Sequence, residues 1–345
     1  MKNKKILSNG MITALVTIIS LVLVFAITLS VFLIVDKPFG ETEDEKKEGE
    51  VKADYPFRKT IDFTLPSVPE NSATISAGDI NSEKALVLNA TDSVVLASRQ
   101  GSQLIYPASM TKVMTLIVVF ENLKNEDSLK EVITISEEVQ MQMESAGSSG
   151  FGLKAGEKLT VEDLIYVMIL QSDNIACVTL AEYIAGSEAE FVKLMNAKVR
   201  EMGLLEGDSE KSPSTLFQNS HGLHHQYHYS TCYDMASIMA YAMKNTFCAN
   251  VLTSLKYKPS DNFRPNDGIT FYNAFLVHGV SEGKISPDNA KFIAGKTGYT
   301  EEAGSCLVSV AKGKDGKQYI VVTSHAPTTQ ARLDDQLFLY NTYVK

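Results

Sequence analysis

Cysteine is scarce in this chain of 345 residues: there are four, Cys177, Cys232, Cys248 and Cys306. Their spacing forms no metal-type pair, and a chain of this length builds a core without a disulfide scaffold. Buried free thiols are the expectation. An excess of positive charge is missing too. Lys and Arg number 32 against 41 Asp and Glu, a formal charge of −9. Nucleic-acid binding through phosphate contacts is therefore not expected. There are no internal repeats. His221, His224, His225 and His228 cluster along the chain, but no carboxylate or cysteine stands at a matching ligand spacing. Neither a metal nor an organic cofactor is expected.

What is present begins with a long apolar run. Met11 to Val35 is 25 residues without a charge, preceded by Lys2, Lys4 and Lys5. A bilayer is crossed by about 20 apolar residues. The run ends Phe32-Leu33-Ile34-Val35-Asp36 with no small-x-small cleavage site, which predicts an uncleaved transmembrane anchor rather than a signal peptide. Residues 1–10 are then cytoplasmic, and the chain beyond Asp36 is extracytoplasmic. Residues 36–71 carry many Glu, Asp and Lys and few aliphatic residues. They predict a flexible tether with an r.m.s. span of roughly 30–35 Å, leaving 72–345 as the folded domain.

Within that domain, apolar and charged fractions of 44% and 21% are those of an ordinary folded protein. Ala85–Asn89 and Val94–Ala97 flank Thr91-Asp92-Ser93 and predict a β-hairpin. A helix is expected over Val113–Phe120, a short strand over Val132–Ile135, and a Gly/Ser loop over Glu144–Gly152. Thr160-Val161-Glu162-Asp163 reads as a capping box for a helix through Leu170. Ile175–Ala185 and Phe191–Met202 predict two more helices, the second with Phe191, Leu194, Met195 and Val199 on one stripe. Thr231-Cys232-Tyr233-Asp234 opens another, through Lys244. Phe292–Tyr299, Ser305–Lys312 and Gln318–His325 read as strands, the last two joined by the turn Lys314–Lys317. A closing helix carries Leu333, Leu337, Tyr340 and Val344. Strands at both ends with helices between predict an α+β fold. Its expected form is one antiparallel sheet built from about 72–135 and 285–345, covered by the first and last helices. A helical lobe, about 136–284, stands beside it across a cleft.

Three short motifs carry chemistry. Ser109-x-x-Lys112 opens a helix after Pro107, which places both side chains on one face, a turn apart. A lysine beside a serine makes a nucleophile without a Ser-His-Asp triad. Ser172-Asp173-Asn174 lies at a break between two apolar helical runs, and Lys296-Thr297-Gly298 lies on a predicted strand. Singly, each is weak. Ser281-x-x-Lys284 repeats the first pattern in a polar, Gly-flanked segment, and Ser260-Asp261-Asn262 repeats the second in a Pro-flanked turn. A helix cap or a surface lysine would explain the others equally well. Their order and contexts together are what argue for a site.

With these motifs stand Tyr106-Pro107-Ala108-Ser109, Gly152–Lys158, Val161–Leu164, Ala181–Ala185, Asn219-x-His221-Gly222-Leu223, His228-x-Ser230-Thr231 and Gly295-Lys296-Thr297-Gly298. On these residues the chain resembles the D-alanyl-D-alanine carboxypeptidases among the low-molecular-weight penicillin-binding proteins, from about Ser76 to the C-terminus. The resemblance implies a serine β-lactamase/penicillin-binding-protein-like fold. It also implies a membrane-anchored D,D-carboxypeptidase acting on peptidoglycan stem peptides that end in D-Ala-D-Ala, with β-lactams as covalent inhibitors. Ser109 would be the nucleophile, and Lys112 its base, with its proton affinity lowered by burial and above all by Lys296. Ser172 would relay a proton, Asn174 hold the substrate amide, and Lys296 and Thr297 bind the terminal carboxylate, joined by Arg332. Gly298 would leave the strand edge open. The N–H groups of Ser109 and Tyr299 would form an oxyanion hole. His221 and His228 belong to the family's pattern, which leaves a metal reading the weaker one.

The chain also departs from that pattern. Asp173 stands where Gly or Ala is usual and matches the class A β-lactamase form. Residues 205–215 read as an insertion. The family's C-terminal β-domain and amphipathic helix are expected to be absent, with the N-terminal anchor taking over tethering. A class A-like β-lactamase and a catalytically inactive cell-wall-binding protein are the alternatives. The first needs a deacylating Glu-x-x-Leu-Asn loop that the sequence lacks, and the second sits poorly with an intact Ser109, Lys112, Ser172, Asn174 and Lys296.

Overall fold

The computed structural model describes residues 61–148, 150–204, 214–265, 267–277 and 287–344. The apolar run Met11–Val35, the tether as far as residue 60, most of the expected insertion and the Ser281–Lys284 look-alike lie outside the described residues.

The first strands are β1 (Ala73–Thr74), β2 (Lys84–Asn89), β3 (Val94–Arg99) and β4 (Leu104–Ile105). β2 and β3 form the expected hairpin, with Asn89 opposite Val94. The Asn89 carboxamide ties its turn: the oxygen accepts from the Asp92 N–H at 3.0 Å and the nitrogen donates to the Asp92 carboxylate at 2.8 Å, the local bonding that makes these residues turn formers. A 3₁₀ turn over Ala108–Thr111 leads into α1 (Lys112–Asn122). Next come β5 (Val132–Thr134), α2 (Glu137–Ser145), β6 (Lys158–Thr160), α3 (Val161–Leu170), α4 (Asn174–Ala185) and α5 (Glu188–Glu201). The predicted capping box of α3 is present: the Thr160 hydroxyl accepts from the Asp163 N–H at 3.0 Å, and the Asp163 carboxylate accepts from the Thr160 N–H at 2.9 Å. β7 (Ser230–Thr231), α6 (Cys232–Lys244), α7 (Thr246–Thr253), β8 (Lys256–Tyr257) and β9 (Phe271–Tyr272) complete the middle of the chain. β10 (Ala290–Thr300), β11 (Gly304–Gly313), β12 (Gln318–Ala326) and α8 (Thr329–Tyr343) close it.

Both ends of the domain build one sheet, as expected, in the order β1-β3-β2-β12-β11-β10. The bond that joins them is β2 to β12, with Val87 opposite Val321. The sheet is mixed rather than wholly antiparallel, because β1 pairs parallel to β3. Successive residues point to opposite faces, and the buried side chains divide accordingly. Leu86, Leu88, Val308, Val310, Ile320 and Val322 enter the larger core with the helices. Ala85, Val87, Leu307, Ala311 and Val321 enter a second core beneath α8, with Leu339 and Tyr340. Fully burying one such aliphatic side chain contributes roughly 1.5–3 kcal/mol.

Two expectations are corrected. α1 does not cover the sheet. Every residue from Lys112 to Phe120 is buried, and a helix apolar all round belongs in a core. It packs among α3, α4, α5, α6 and α7, while α6 and α8 cover the two faces of the sheet. The tether also ends sooner than its composition suggests. Ile61, Phe63 and Leu65 pack on the larger core, and the Phe63 ring meets Tyr241 edge-on at 5.3 Å. Ser67 exchanges backbone bonds of 2.9 Å with Ser93 and Val95. Their alternation with Asp62 and Thr64 is a strand-like pattern, masked in the sequence by the charged stretch before it.

Candidate active site

Three separate elements deliver the motif residues to one place. Pro107 and the 3₁₀ turn set Ser109 and Lys112 three residues apart, where side chains on such a turn eclipse. The α-helix proper begins at Lys112, so Ser109 sits in the turn before it rather than in its first α-helical turn. Ala108 holds a left-handed φ of 46°, a conformation costly for a residue with a Cβ and typical of functional sites. Gly222, at φ 90°, packs on it: a Cβ there would overlap the Ala108 carbonyl and lie 3.0 Å from the Ser109 nitrogen.

The Lys112 side chain is wholly buried. Its Nζ donates to the Asn174 Oδ1 at 2.6 Å and the His221 carbonyl at 2.8 Å, and stands 3.0 Å from the Ser109 Oγ. Burial lowers its proton affinity below that of an ordinary lysine, against the opposing pull of Cys177 and Asp173.

The break between α3 and α4 supplies the second group. Ser172 has a left-handed φ of 58°, and its hydroxyl accepts from the Lys296 Nζ at 2.9 Å. The helix cap here is Asp173, not Ser172. One Asp173 carboxylate oxygen accepts from the Ala176 N–H and the other from the Phe151 N–H, each at 2.9 Å. That accounts for the departure from Gly or Ala noted in the sequence: Asp173 is buried as a cap and loop anchor. Asn174 opens α4, and its Nδ2 donates to the Ser148 Oγ at 2.8 Å.

The third group lies on β10, the last strand of the sheet. Lys296 is 3% exposed. Its ammonium is driven well below its ordinary range, first by burial and then by the cations Lys112 and Arg332. Burial is the first cause for both lysines, and the two cations are coupled across the cavity, so they titrate as a pair. Thr297, Gly298 and Tyr299 follow on the strand, opposite Leu307, Cys306 and Ser305. A Cβ on Gly298 would stand 3.0 Å from the Ser109 nitrogen, so glycine lets the strand close on the nucleophile. Tyr299 is 68% exposed.

A cavity of about 260 Å³ opens over these groups, lined by Ser109, Gly150, Gln171, Ser172, Asn174, Gly222, Leu223 and Tyr299. Lys112 and Lys296 reach it from beneath, through the hydroxyls they bond. Thr297 and Arg332 do not line it. Arg332 lies in the first turn of α8, mostly buried, with Nη1 on the Cys306 carbonyl at 3.2 Å. Its Nε has no hydrogen-bond partner among the described residues. α8 is clamped in place by Asp335, whose carboxylate accepts from the N–H and side chain of both Asn81 and Ser82. His221 and His228 are buried and pushed down to about 3, burial being the first cause for each. No group of metal-binding side chains is found among the described residues. The second Ser-Asp-Asn copy, at Ser260, is a turn whose serine hydrogen-bonds the Asp163 carboxylate.

Sequence reasoning missed three contributors: the His221 carbonyl, Gly222 and Ser148. The first two lie inside a family pattern that assigned them no role, and Ser148 lay in a stretch read only as a Gly/Ser loop.

A serine hydroxyl against a buried amine, with a second hydroxyl–amine pair across the cavity, is an arrangement able to do nucleophilic acyl transfer without histidine or metal. The chain belongs to the D-alanyl-D-alanine carboxypeptidase family, whose sequence profile matches residues 71–328. It is 34% identical over 252 residues to the D-alanyl-D-alanine carboxypeptidase DacF of Bacillus subtilis, covering 72% of this chain and 59% of that protein. The chain thus spans less than two thirds of that relative's length. Penicillin binding protein 5 of Haemophilus influenzae has a similar structure, with a TM-score of 0.63 and 26% identity over 77% of this chain and 72% of that one. A D-alanyl-D-alanine carboxypeptidase of Mycobacterium tuberculosis shares the fold, with a TM-score of 0.63 and 24% identity, over 80% of this chain and 94% of that one. The α+β expectation is therefore met by the penicillin-binding-protein fold.

Proposed function

We propose that this protein is a membrane-anchored, extracytoplasmic serine D,D-carboxypeptidase. It removes the terminal D-Ala from peptidoglycan stem pentapeptides through an acyl-enzyme on Ser109, and β-lactams acylate the same serine. The observation that carries this reading is the bonding of Lys112. A neutral amine has two N–H groups and one lone pair. Two of its three partners, the Asn174 Oδ1 and the His221 carbonyl, can only accept. They take the two N–H groups, and the lone pair is left facing the Ser109 hydroxyl at 3.0 Å. Burial supplies the neutral amine, because it penalises the ammonium.

The Ser109 Oγ attacks the penultimate D-Ala carbonyl, and its proton passes to the Lys112 Nζ. The N–H groups of Ser109 and Tyr299 hold the oxyanion, a contribution of a few kcal/mol per donor. Ser172 relays that proton from Lys112 to the departing D-Ala amine as the C–N bond breaks, so that Lys112 is again neutral and Ser172 keeps its hydroxyl. The leaving residue's carboxylate binds at Lys296, with Thr297 beside it on the strand and the Arg332 charge acting from behind the cavity. Its charge restores the proton affinity that burial takes from Lys296, since an opposite charge favours the ammonium. Asn174 holds the substrate amide, and Gly298 leaves the β10 edge open to the peptide. Water then releases the acyl group. Residues 11–35 keep the domain at the membrane.

Intact-mass spectrometry of the full chain after penicillin, followed over time, tests the whole reading. The expected result is one long-lived adduct on Ser109, none on Ser109→Ala, and a mass that retains the N-terminal run. Rapid turnover without an adduct would identify a β-lactamase instead. A mass beginning after Val35 would remove the anchor. Release of D-Ala from a pentapeptide by Ser109→Ala would remove the nucleophile.

A further inference from the structure

The loop 219–223 gives Lys112 one of its two acceptors, the His221 carbonyl at 2.8 Å. This loop closes on itself. The Asn219 carboxamide accepts from the Gly222 N–H at 2.7 Å and donates to the Leu223 carbonyl at 2.9 Å, and the Leu223 N–H donates to the His221 Nδ1 at 3.1 Å. These bonds set the shape of the loop. They do not set its place relative to Lys112.

Two anchors outside the loop do, and both act on the buried Ser220. From α1, one turn beyond Lys112, the Thr115 hydroxyl donates to the Ser220 carbonyl at 2.5 Å. From the first turn of α5, the Glu188 Oε1 accepts from the Ser220 N–H at 2.9 Å and from the Ser220 hydroxyl at 2.6 Å. The direction of the backbone bond is fixed, because an N–H only donates and a carboxylate accepts. His221 agrees with it. Its Nδ1 is the acceptor for Leu223 and burial keeps the ring neutral, so its proton is on Nε2, which stands 3.5 Å from the same Glu188 oxygen. Gln142 of α2 donates to the other oxygen at 3.3 Å.

We infer that Glu188 is a positioning residue for acylation: it seats the loop 219–223 so that the His221 carbonyl meets Lys112 and Gly222 meets the Ala108–Ser109 peptide. The inference rests on the reading of Lys112 as the base. With the loop displaced, Lys112 loses the acceptor for one N–H, and its lone pair is no longer held toward Ser109. The Gly222 backing of Ser109 moves at the same time. What Glu188 supplies is reach together with an acceptor oxygen. Glutamine keeps both, and the Gln142 carboxamide can turn to accept from it. Aspartate keeps the charge and is one methylene too short.

The test is the second-order rate of Ser109 acylation by penicillin in the full-length protein, Glu188→Gln, Glu188→Asp and Glu188→Ala, each below its measured thermal midpoint. Glu188→Ala and Glu188→Asp should form the same adduct more slowly, on the order of ten- to a hundredfold. Glu188→Gln should stay within a few-fold of the parent. A role in stability alone would lower the midpoint of Glu188→Ala and leave its rate that of the parent, which would overturn the inference and leave the proposed function standing. So would a glutamine variant as slow as alanine, or an aspartate variant as fast as the parent. Absence of any adduct on the parent protein would instead overturn the function on which the inference rests.

Discussion

At Gly222 one hydrogen atom decides where the nucleophile lies. The residue's φ of 90° is open to glycine and strained for others, and the place a Cβ would occupy is filled by the Ala108 peptide. Gly222→Ala should therefore push back Ala108 and, with it, Ser109. Because a displacement of about 1 Å can cost about a hundredfold, the penicillin acylation rate should fall by at least that order, with the protein still folded. The bonding at this scale was partly legible in the sequence. Ser109, Lys112, Ser172, Asn174 and Lys296 carry reactive side chains in ordered motifs. The His221 carbonyl, the bare Gly222 Cα and the Ser148 hydroxyl act through backbone, through absence and through a common residue type, none of which has a signature of its own.

Among the elements, the start of α4 holds the most in one residue. Asp173 caps the helix and anchors Phe151, so it joins the helix to the loop across the cavity. Asp173→Ala removes a cap and leaves a buried N–H without its acceptor. Together these should lower stability by about 2 kcal/mol, measured by urea denaturation, while Ser109 still acylates at a reduced rate, because Asp173 supports the cavity wall at Gly150, Ser172 and Asn174 but makes no hydrogen bond to Ser109 or Lys112 among the described residues. Elements with strong periodicity or a capping box were legible: the β2–β3 hairpin, α3 and the three C-terminal strands. α2 was not. It buries only Val139 and Met143, too few to mark a stripe, and its helical identity rests on the Ser136 cap and Glu137 and Glu138 in its first turn. α1 was placed on the wrong neighbour because an all-apolar helix has no preferred face to read.

For the molecule as a whole, the buried histidines set the response to acid. His221 and His228 titrate near 3 when folded and near 6.5 when free. The unfolded chain therefore binds protons that the folded one refuses, and stability is lost as pH falls from about 6.5 toward 3. Each should contribute a slope approaching about 1.4 kcal/mol per pH unit below pH 6. Denaturation at pH 7.5 and 5.0 should show the loss, and His228→Asn should reduce it by nearly half. A profile flat over that range would mean that these side chains find partners for a second proton. The sheet raises a different matter, one of order in time. β2 has hydrogen-bonded neighbours in β3 and β12, and β12 lies far downstream of it in the sequence, beyond all the helices of the middle. During synthesis the N-terminal hairpin must wait, edge unprotected, through every helix of the middle before its partner exists. The two cores share that sheet as their common wall, so neither can close around a chain that stops short of Gln318. The nucleophile, written early in the sequence, cannot be armed until β10 arrives with Lys296 on the same sheet.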